Sequence, residues 1–307
     1  MTASEPGGPI RGIIPPMATP LASIDELDVG GLERLIEHIL GGGAHGLFIL
    51  GTTGEGPALG YGLRREVIER TCRQVGGRVP VLVGVTDSSF AEMLQLSEWA
   101  AGAGASAVVV APPFYFQINQ GDLLRMIEGF AERSNLPVYL YNQPQLTKTS
   151  YTLEMIARAA EVPGVVGIKD SSGDIGYLKD VLNWRGGRDF SVLIGPEHLL
   201  EEALLCGADG GVPGGANIFP ELPVQLYEAH RRGDGTRAHE IQERMNAIGS
   251  PIWKAGEAGP GYLRRLKCAL SLLGICSARP AWPLVECGAE ERAQIEAHLR
   301  QQGILVR

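Results

Sequence analysis

The chain has 307 residues, of which 44% are hydrophobic, and it carries 42 glycines, 20 prolines and a formal net charge of −8. This composition is typical of a soluble globular protein with a large core, and it argues against nucleic acid and anionic membranes as partners, since both attract basic surfaces. No apolar stretch is long enough to span a bilayer.

The cysteine pattern and the first residues indicate a cytoplasmic location. The five cysteines are an odd number without CxxC spacing, and residues 1–9 lack the basic and apolar regions of a secretion signal. The six histidines show no spacing typical of metal ligands. We therefore expect no metal and no cofactor.

Short apolar runs recur along the chain, most of them roughly 25 to 35 residues apart, which is the length of a strand plus a crossover helix. The runs are almost continuously apolar, as strands buried on both faces must be. Eight strands are predicted, at residues 12–15, 46–50, 79–85, 107–111, 138–141, 165–169, 192–195 and 210–213. Eight such alternations predict a closed (β/α)8 TIM barrel.

The segments between the runs have helical signatures. Residues 32–40 form an apolar stripe, and Ser89 followed by Glu92 fits a capping box. Strand signals end near residue 220, and helices are predicted at residues 222–232, 237–248, 262–273 and 290–301. We predict a barrel domain of residues 1–223 and a C-terminal helical extension of residues 224–307.

Lys169 is one of five lysines and lies at the end of an apolar strand. Desolvation disfavours an ammonium ion, so an amine at such a place can become a nucleophile that forms a Schiff base with a carbonyl. Alternatively, the side chain extends to water or pairs with Asp170 or Asp174. The remaining lysines occupy polar or helical contexts that predict solvated positions: Lys148, Lys179, Lys254 and Lys267.

Other functional groups also follow predicted strands, and in a (β/α)8 barrel the active site lies at the C-terminal ends of the strands. Residues 51–56 follow the second strand, an aromatic stretch with Tyr115 follows the fourth, and Tyr141 ends the fifth. Together with Lys169 these groups suit imine chemistry, which needs an amine, a proton shuttle and donors for a carboxylate. Individually, residues 51–56 could cradle a phosphate, Tyr141 could be a structural rim residue, and Tyr115 could pack in an interface.

Three motifs in this order resemble the dihydrodipicolinate synthase and N-acetylneuraminate lyase family, the pyruvate-dependent class I aldolases. They are Gly51-Thr52-Thr53-Gly54-Glu55, Tyr141-Asn142-Gln143-Pro144 and Gly167-Ile168-Lys169-Asp170. The resemblance covers nearly the whole chain. It implies a (β/α)8 barrel lyase that acts on pyruvate or a 2-keto acid and a small aldehyde, and that assembles as a homo-oligomer, either a dimer or a tetramer.

The resemblance also implies roles for individual residues. Lys169 would form the Schiff base, Tyr141 would relay protons and position the substrate carboxylate, and Thr52 would belong to the relay. The backbone amides of Thr52 and Thr53 would hold the carboxylate. Tyr115 matches a tyrosine that family members lend across a subunit interface.

Three further positions bear on the substrate. Val212 matches the residue whose carbonyl faces bound pyruvate. Leu146 occupies the place where dihydrodipicolinate synthases have an arginine that binds the semialdehyde carboxylate, and this departure favours the lyase branch. Neuraminate lyases usually have an acidic pair after the seventh strand, and Glu197 supplies half of that pair.

The motifs are most similar to those of 2-keto-3-deoxy sugar-acid aldolases, which favours such a sugar acid as substrate. Within the same family the alternatives are dihydrodipicolinate synthase, N-acetylneuraminate lyase, 4-hydroxy-2-oxoglutarate aldolase and a dehydratase of keto-deoxy acids. A different class of function is a barrel that binds 2-keto acids without catalysis.

Overall fold

The computed structural model of the protein describes residues 8–253 and 261–305. Its main sheet has eight parallel strands, and each of the eight strands predicted from the sequence is confirmed. The strands are β1 (Gly12–Ile13), β2 (Leu47–Ile49), β3 (Val81–Gly84), β4 (Ala107–Val110), β5 (Val138–Asn142), β6 (Val165–Asp170), β7 (Ser191–Ile194) and β8 (Gly210–Gly211).

The sheet curls so that its two edge strands, β1 and β2, come together. Strands β2 to β8 are adjacent in chain order, and β8 pairs with β1. A parallel bridge between Pro16 and Phe48 joins the chain after β1 to β2, and Phe48 N donates to Pro15 O at 2.9 Å. The result is a TIM-barrel-like (β/α)8 fold, as predicted.

The strands bury side chains on both faces. In β4, Ala107 and Val109 belong to the apolar cluster inside the barrel, whereas Val108 and Val110 belong to the cluster that packs against the helices. This alternation explains the almost continuously apolar strand sequences, because neither face of a parallel barrel meets water.

Helices cover the outside of the barrel. The Ser89 hydroxyl accepts a hydrogen bond from Glu92 N at the start of α3, which is the expected N-terminal contact of a capping box. The helices from the first to the eighth strand are α1 (Val29–Gly41), α2 (Tyr61–Val75), α3 (Phe90–Gly102), α4 (Gln120–Arg133), α5 (Pro144–Thr147), α6 (Leu153–Ala159), α7 (Ile175–Arg185) and α8 (Leu200–Leu205).

In the described residues, four α-helices follow β8, at the places where the sequence predicts them. They are α9 (Glu221–Arg231), α10 (Gly235–Trp253), α11 (Gly261–Leu272) and α12 (Ala289–Gln301). The division at residue 223 into a barrel and a helical extension remains a prediction, and α9 spans that position. Within the described ranges, no helix is both long and apolar enough to cross a membrane.

The seam between β1 and β8 depends on close backbone contact. Gly12 pairs with Gly210, and a Cβ added at Gly210 would lie 1.9 Å from Gly12 O. Because the obstacle is backbone, the two strands would have to separate to admit a methyl group.

We therefore predict that Gly210→Ala lowers the free energy of unfolding by about 2 to 3 kcal/mol, the usual cost of overpacking a core. Gly187→Ala is the matched control, because no atom lies within 4 Å of its added Cβ. Urea denaturation measures both values. Equal stabilities of the two variants would show that the seam tolerates the methyl group.

Candidate active site

A cavity of about 260 Å³ opens at the C-terminal ends of strands β2 to β5. Its walls come from the strand ends and the loops that follow them: Phe48, Leu50, Gly51, Thr52, Pro57, Gly84, Thr86, Val109, Ala111, Phe114, Tyr141, Gln143, Leu146 and Thr147. A larger groove of about 650 Å³ lies on the outer surface between α1 and α2 and contains none of the predicted site residues. The cavity in the barrel is therefore the candidate active site.

Lys169 lies beside this cavity, at the end of β6. Its side chain is only 6% exposed, and its Nζ lies 4.1 Å from the ring centroid of Tyr141 and 5.0 Å from that of Phe48. In the part of the chain that the structure describes, it has no ion pair with a carboxylate. In the described structure, Lys169 is therefore neither solvated nor paired with an acidic residue.

Tyr141 connects Lys169 to the loop after β2. It is the register partner of Lys169 across β5 and β6, and its hydroxyl lies 3.0 Å from Thr52 Oγ1. Either hydroxyl can donate in this hydrogen bond. The structure thus brings together the amine, the phenol and the threonine that were predicted to act together.

Buried polar contacts fix the ends of β5 and β6. Asn142 Nδ2 donates to Asp170 Oδ1 at 2.8 Å, and Asp170 also accepts from the backbone and the hydroxyl of Ser172. Burial raises the pKa of the Asp170 carboxyl above its ordinary value, against the effect of these hydrogen bonds. Asn142 and Asp170, which directly follow Tyr141 and Lys169, thus hold the two strand ends in register.

Residues 51–56, called here the Thr52 loop, have a tightly constrained backbone. Leu50 and Glu55 adopt φ values of 57° and 55°, in the left-handed region that costs side-chain-bearing residues about 1 to 2 kcal/mol. Glu55 N donates to Thr52 O, and Gly56 N donates to Gly51 O. These two amides are therefore occupied within the loop, which weighs against a phosphate cradle.

Lys267 corrects a prediction made from the sequence. It was expected on a solvated face, but it is 1% exposed and forms an ion pair with Glu55, which is 4% exposed. Lys267 lies on a helix of mixed polarity, and that sequence pattern does not reveal Glu55 as its partner. Lys148 and Lys179 are exposed as predicted, and Lys254 lies outside the described residues.

Tyr262 is a site residue that the sequence did not reveal. It belongs to α11, and its hydroxyl faces the side chain of Thr53, which is 7% exposed. Burial raises the pKa of Tyr262 above its ordinary value. Only the tertiary packing of α11 brings this tyrosine to the Thr52 loop.

The predicted substrate-binding residues lie in different environments. Leu146 lines the cavity and is 43% exposed. Val212 is buried in the apolar cluster inside the barrel, where its N–H donates to Ile194 O. Tyr115 is 79% exposed and is not among the residues that line the cavity. It packs edge-to-face on Phe116, with ring centroids 5.0 Å apart.

Glu197 is buried and does not line the cavity. Its carboxylate accepts hydrogen bonds from Trp253 Nε1 at 2.7 Å and from Gly215 N at 2.5 Å. Burial nevertheless raises the pKa of this carboxyl from 4.5 to about 7. The carboxyl therefore ties α10 to the segment after β8, while its role in substrate binding remains a prediction.

The raised pKa of Glu197 implies a pH-dependent stability. The folded state binds the proton more tightly than the unfolded chain, so this stabilisation is complete below about pH 4.5 and is lost as the pH rises through about 7. Relative to Glu197→Gln, we expect the wild type to lose on the order of 3 kcal/mol of unfolding free energy between about pH 4 and pH 8. Urea denaturation at both pH values measures the difference. Parallel pH profiles would contradict it.

Comparisons with known proteins agree with this geometry. The Dihydrodipicolinate synthetase family profile matches residues 9–302. An uncharacterized DapA-like lyase of Halobacterium salinarum is 33% identical over 96% of this chain and 95% of its own length. A 4-hydroxy-tetrahydrodipicolinate synthase of Cereibacter sphaeroides is 35% identical over 96% of this chain and all of its own length.

Solved structures show the same similarity. A dihydrodipicolinate synthase from Bacteroides thetaiotaomicron superposes with a TM-score of 0.92 at 47% identity, over 96% of this chain and 99% of that one. YagE, a prophage protein of E. coli K12 described in complex with pyruvate, gives a TM-score of 0.90 at 30% identity over the same shares. From its fold, its site and these relatives, the chain belongs to the dihydrodipicolinate synthetase family and is a lyase of the class I aldolase type.

Proposed function

We propose that the protein makes or breaks a carbon–carbon bond through a Schiff base between Lys169 and the keto carbon of pyruvate or a related 2-keto acid. The observation that carries this proposal is the buried amine of Lys169 beside Tyr141, whose hydroxyl contacts Thr52. A pyruvate complex of a similar protein supports the choice of keto acid.

The chemistry follows from these three groups. The neutral amine of Lys169 adds to the keto carbon, and the resulting carbinolamine loses water when the Tyr141 hydroxyl returns a proton to the leaving oxygen. In the cleavage direction, the iminium accepts the electron pair of the breaking bond while Tyr141 removes the proton from the hydroxyl of the departing aldehyde. The enamine then takes a proton and is hydrolysed, which frees Lys169.

The carboxylate of the keto acid needs hydrogen-bond donors. We assign this role to the backbone amides of Thr52 and Thr53, which lie in the Thr52 loop next to the relay hydroxyl. We also assign Val212 to the keto-acid site, where its carbonyl would face the keto acid. Its N–H already donates to Ile194 O, so the carbonyl is the polar group that remains for this role.

The cavity favours an uncharged, hydroxylated aldehyde as the second reactant. Among the described residues, no charged side chain lines it, and Thr86 and Thr147 contribute hydroxyls. Gln143 Oε1 is buried at its wall without a hydrogen-bond partner in the described part of the chain. A substrate hydroxyl would satisfy this acceptor. A 2-keto-3-deoxy sugar acid is therefore the substrate class we propose.

Condensation of pyruvate with aspartate semialdehyde is the second candidate, because several relatives are named 4-hydroxy-tetrahydrodipicolinate synthase. Leu146 weighs against it. An alkyl side chain cannot provide the bidentate hydrogen bonds that an arginine offers to a second carboxylate.

We further propose that the protein is a homo-oligomer, a dimer or a tetramer. Tyr115 and Phe116 are 79% and 71% exposed at the barrel mouth, an exposure that is costly for neighbouring aromatic rings. A second copy that covers them would bring Tyr115 to a proton relay in its partner.

Lys169→Ala should abolish covalent trapping of pyruvate by borohydride, because it removes the amine that forms the imine. Lys148→Ala is the matched control, since Lys148 is exposed, and it should be trapped like the wild type. Mass spectrometry of peptides locates the adduct. An adduct on any lysine other than Lys169 would overturn the assignment.

Leu146→Arg should raise the rate with aspartate semialdehyde and lower the rate with neutral hydroxyaldehydes, each by about 10-fold or more. A guanidinium in the cavity is favourable only when a carboxylate pairs with it. Leu146→Met is the uncharged control and should keep the wild-type preference. Pyruvate consumption with each aldehyde provides the rates. Efficient semialdehyde condensation by the unmodified protein would instead support the second candidate.

A further inference from the structure

Helix α11 contacts the Thr52 loop at two places, one on each side of Gly54. Tyr262 reaches Thr53, and Lys267 reaches Glu55. We propose that Tyr262 and Lys267 are positioning residues that hold the loop, and with it Thr52, in the geometry needed for proton relay. The catalytic consequence of this inference rests on the proposed function, whereas the contacts themselves do not depend on it.

The ion pair is the stronger of the two contacts. Lys267 and Glu55 are almost completely buried, so water competes little with their interaction. Each partner has a second hydrogen bond: Ala281 N donates to Glu55 Oε1 at 2.7 Å, and Lys267 Nζ donates to Arg279 O at 2.9 Å. Burial lowers the pKa of Lys267 below its ordinary value, and the adjacent Glu55 carboxylate opposes this effect. The loop is thereby anchored to α11 and to the segment after it.

The second contact comes from a hydroxyl. Tyr262 is held against Trp253, with ring centroids 5.2 Å apart, so its ring position is set independently of the loop. Its hydroxyl faces the side chain of Thr53. Because Thr53 is adjacent to Thr52, this contact limits how far the relay hydroxyl can move.

The loop requires such restraint because its own backbone is unfavourable. Leu50, just before the loop, and Glu55, near its end, both have a left-handed backbone conformation. A Cβ added at Gly56 would lie 2.1 Å from Leu50 O. Among the described residues, turn hydrogen bonds within the loop and the bond from Thr19 Oγ1 to Gly54 O at 2.7 Å oppose relaxation. The contacts from α11 stabilise Thr53, which is adjacent to Thr52, and the strained Glu55.

A small displacement would matter for the reaction. Thr52 Oγ1 and Tyr141 Oη lie 3.0 Å apart, and hydrogen bonds weaken steeply beyond about 3.5 Å. A loop shift of less than 1 Å would therefore interrupt the relay without unfolding the protein.

Two variants remove the contacts with little change in volume. Tyr262→Phe deletes one hydroxyl, and the double variant Glu55→Gln/Lys267→Met removes both charges and leaves no buried ion unpaired. Tyr139→Phe is the control, since its hydroxyl accepts from Ile10 N within the barrel and not at the loop. Each α11-contact variant should lower kcat about 10-fold, while Tyr139→Phe keeps the wild-type kcat.

A positioning role predicts strong non-additivity with Thr52. In a Thr52→Val background, Tyr262→Phe should reduce kcat by less than about 2-fold, because the hydroxyl that it positions is already absent. A purely structural role would give the same fold loss in both backgrounds. Full additivity would overturn the proposal.

Hydrogen exchange tests the contacts without reference to activity. Backbone amides of residues 51–56 should exchange about 10-fold faster in Tyr262→Phe and in Glu55→Gln/Lys267→Met than in wild type, and Tyr139→Phe should leave them unchanged. Unaltered exchange in both variants would refute the proposal. If the wild type neither traps pyruvate nor turns over, the proposed function fails, yet the exchange experiment still decides whether α11 restrains the loop.

Discussion

Parallel closure of the barrel is the constraint on which the other features depend. All eight strands run in one direction, so their C-terminal ends meet at a single mouth. The bridge from Pro16 to Phe48 completes the ring, and the pairing of β5 with β6 places Tyr141 opposite Lys169. Without closure, groups as far apart in the sequence as Phe48 and Thr147 would not line one cavity.

The barrel also determines which hydrogen-bond or ion-pair partners its buried polar groups have. Polar side chains buried at the strand ends are shielded from water, so each needs a protein partner or a ligand. Asp170 is satisfied by Asn142 and Ser172, and Glu55 is satisfied by Lys267 and Ala281 N. Lys169 instead faces aromatic rings, which leaves its nitrogen available to a carbonyl.

Lys169 and Lys267, the buried lysines among the described residues, lie in different electrostatic environments. Removing one partner of a buried ion pair typically costs about 3 to 5 kcal/mol, because a charge is left uncompensated. Lys267 is in this situation and stabilises the loop. Lys169 has no anionic partner among the described residues, so the protein depends on the rings of Tyr141 and Phe48 to accommodate it. The presence or absence of a neighbouring carboxylate thus separates the structural lysine from the one proposed to react.

The sequence by itself determined the strands, the later helices and the family, because hydrophobic periodicity and short contiguous motifs are local properties of the chain. It also predicted a site of Lys169, Tyr141 and Thr52, which lie at strand ends or in a distinctive loop and which the structure brings together. Only the tertiary structure decided that Lys267 is buried and that Tyr262 reaches Thr53. Both lie on α11, whose sequence carries no sign of which loop it will meet. The partner of a helical side chain is set by how distant segments pack, and no spacing within one helix encodes that choice.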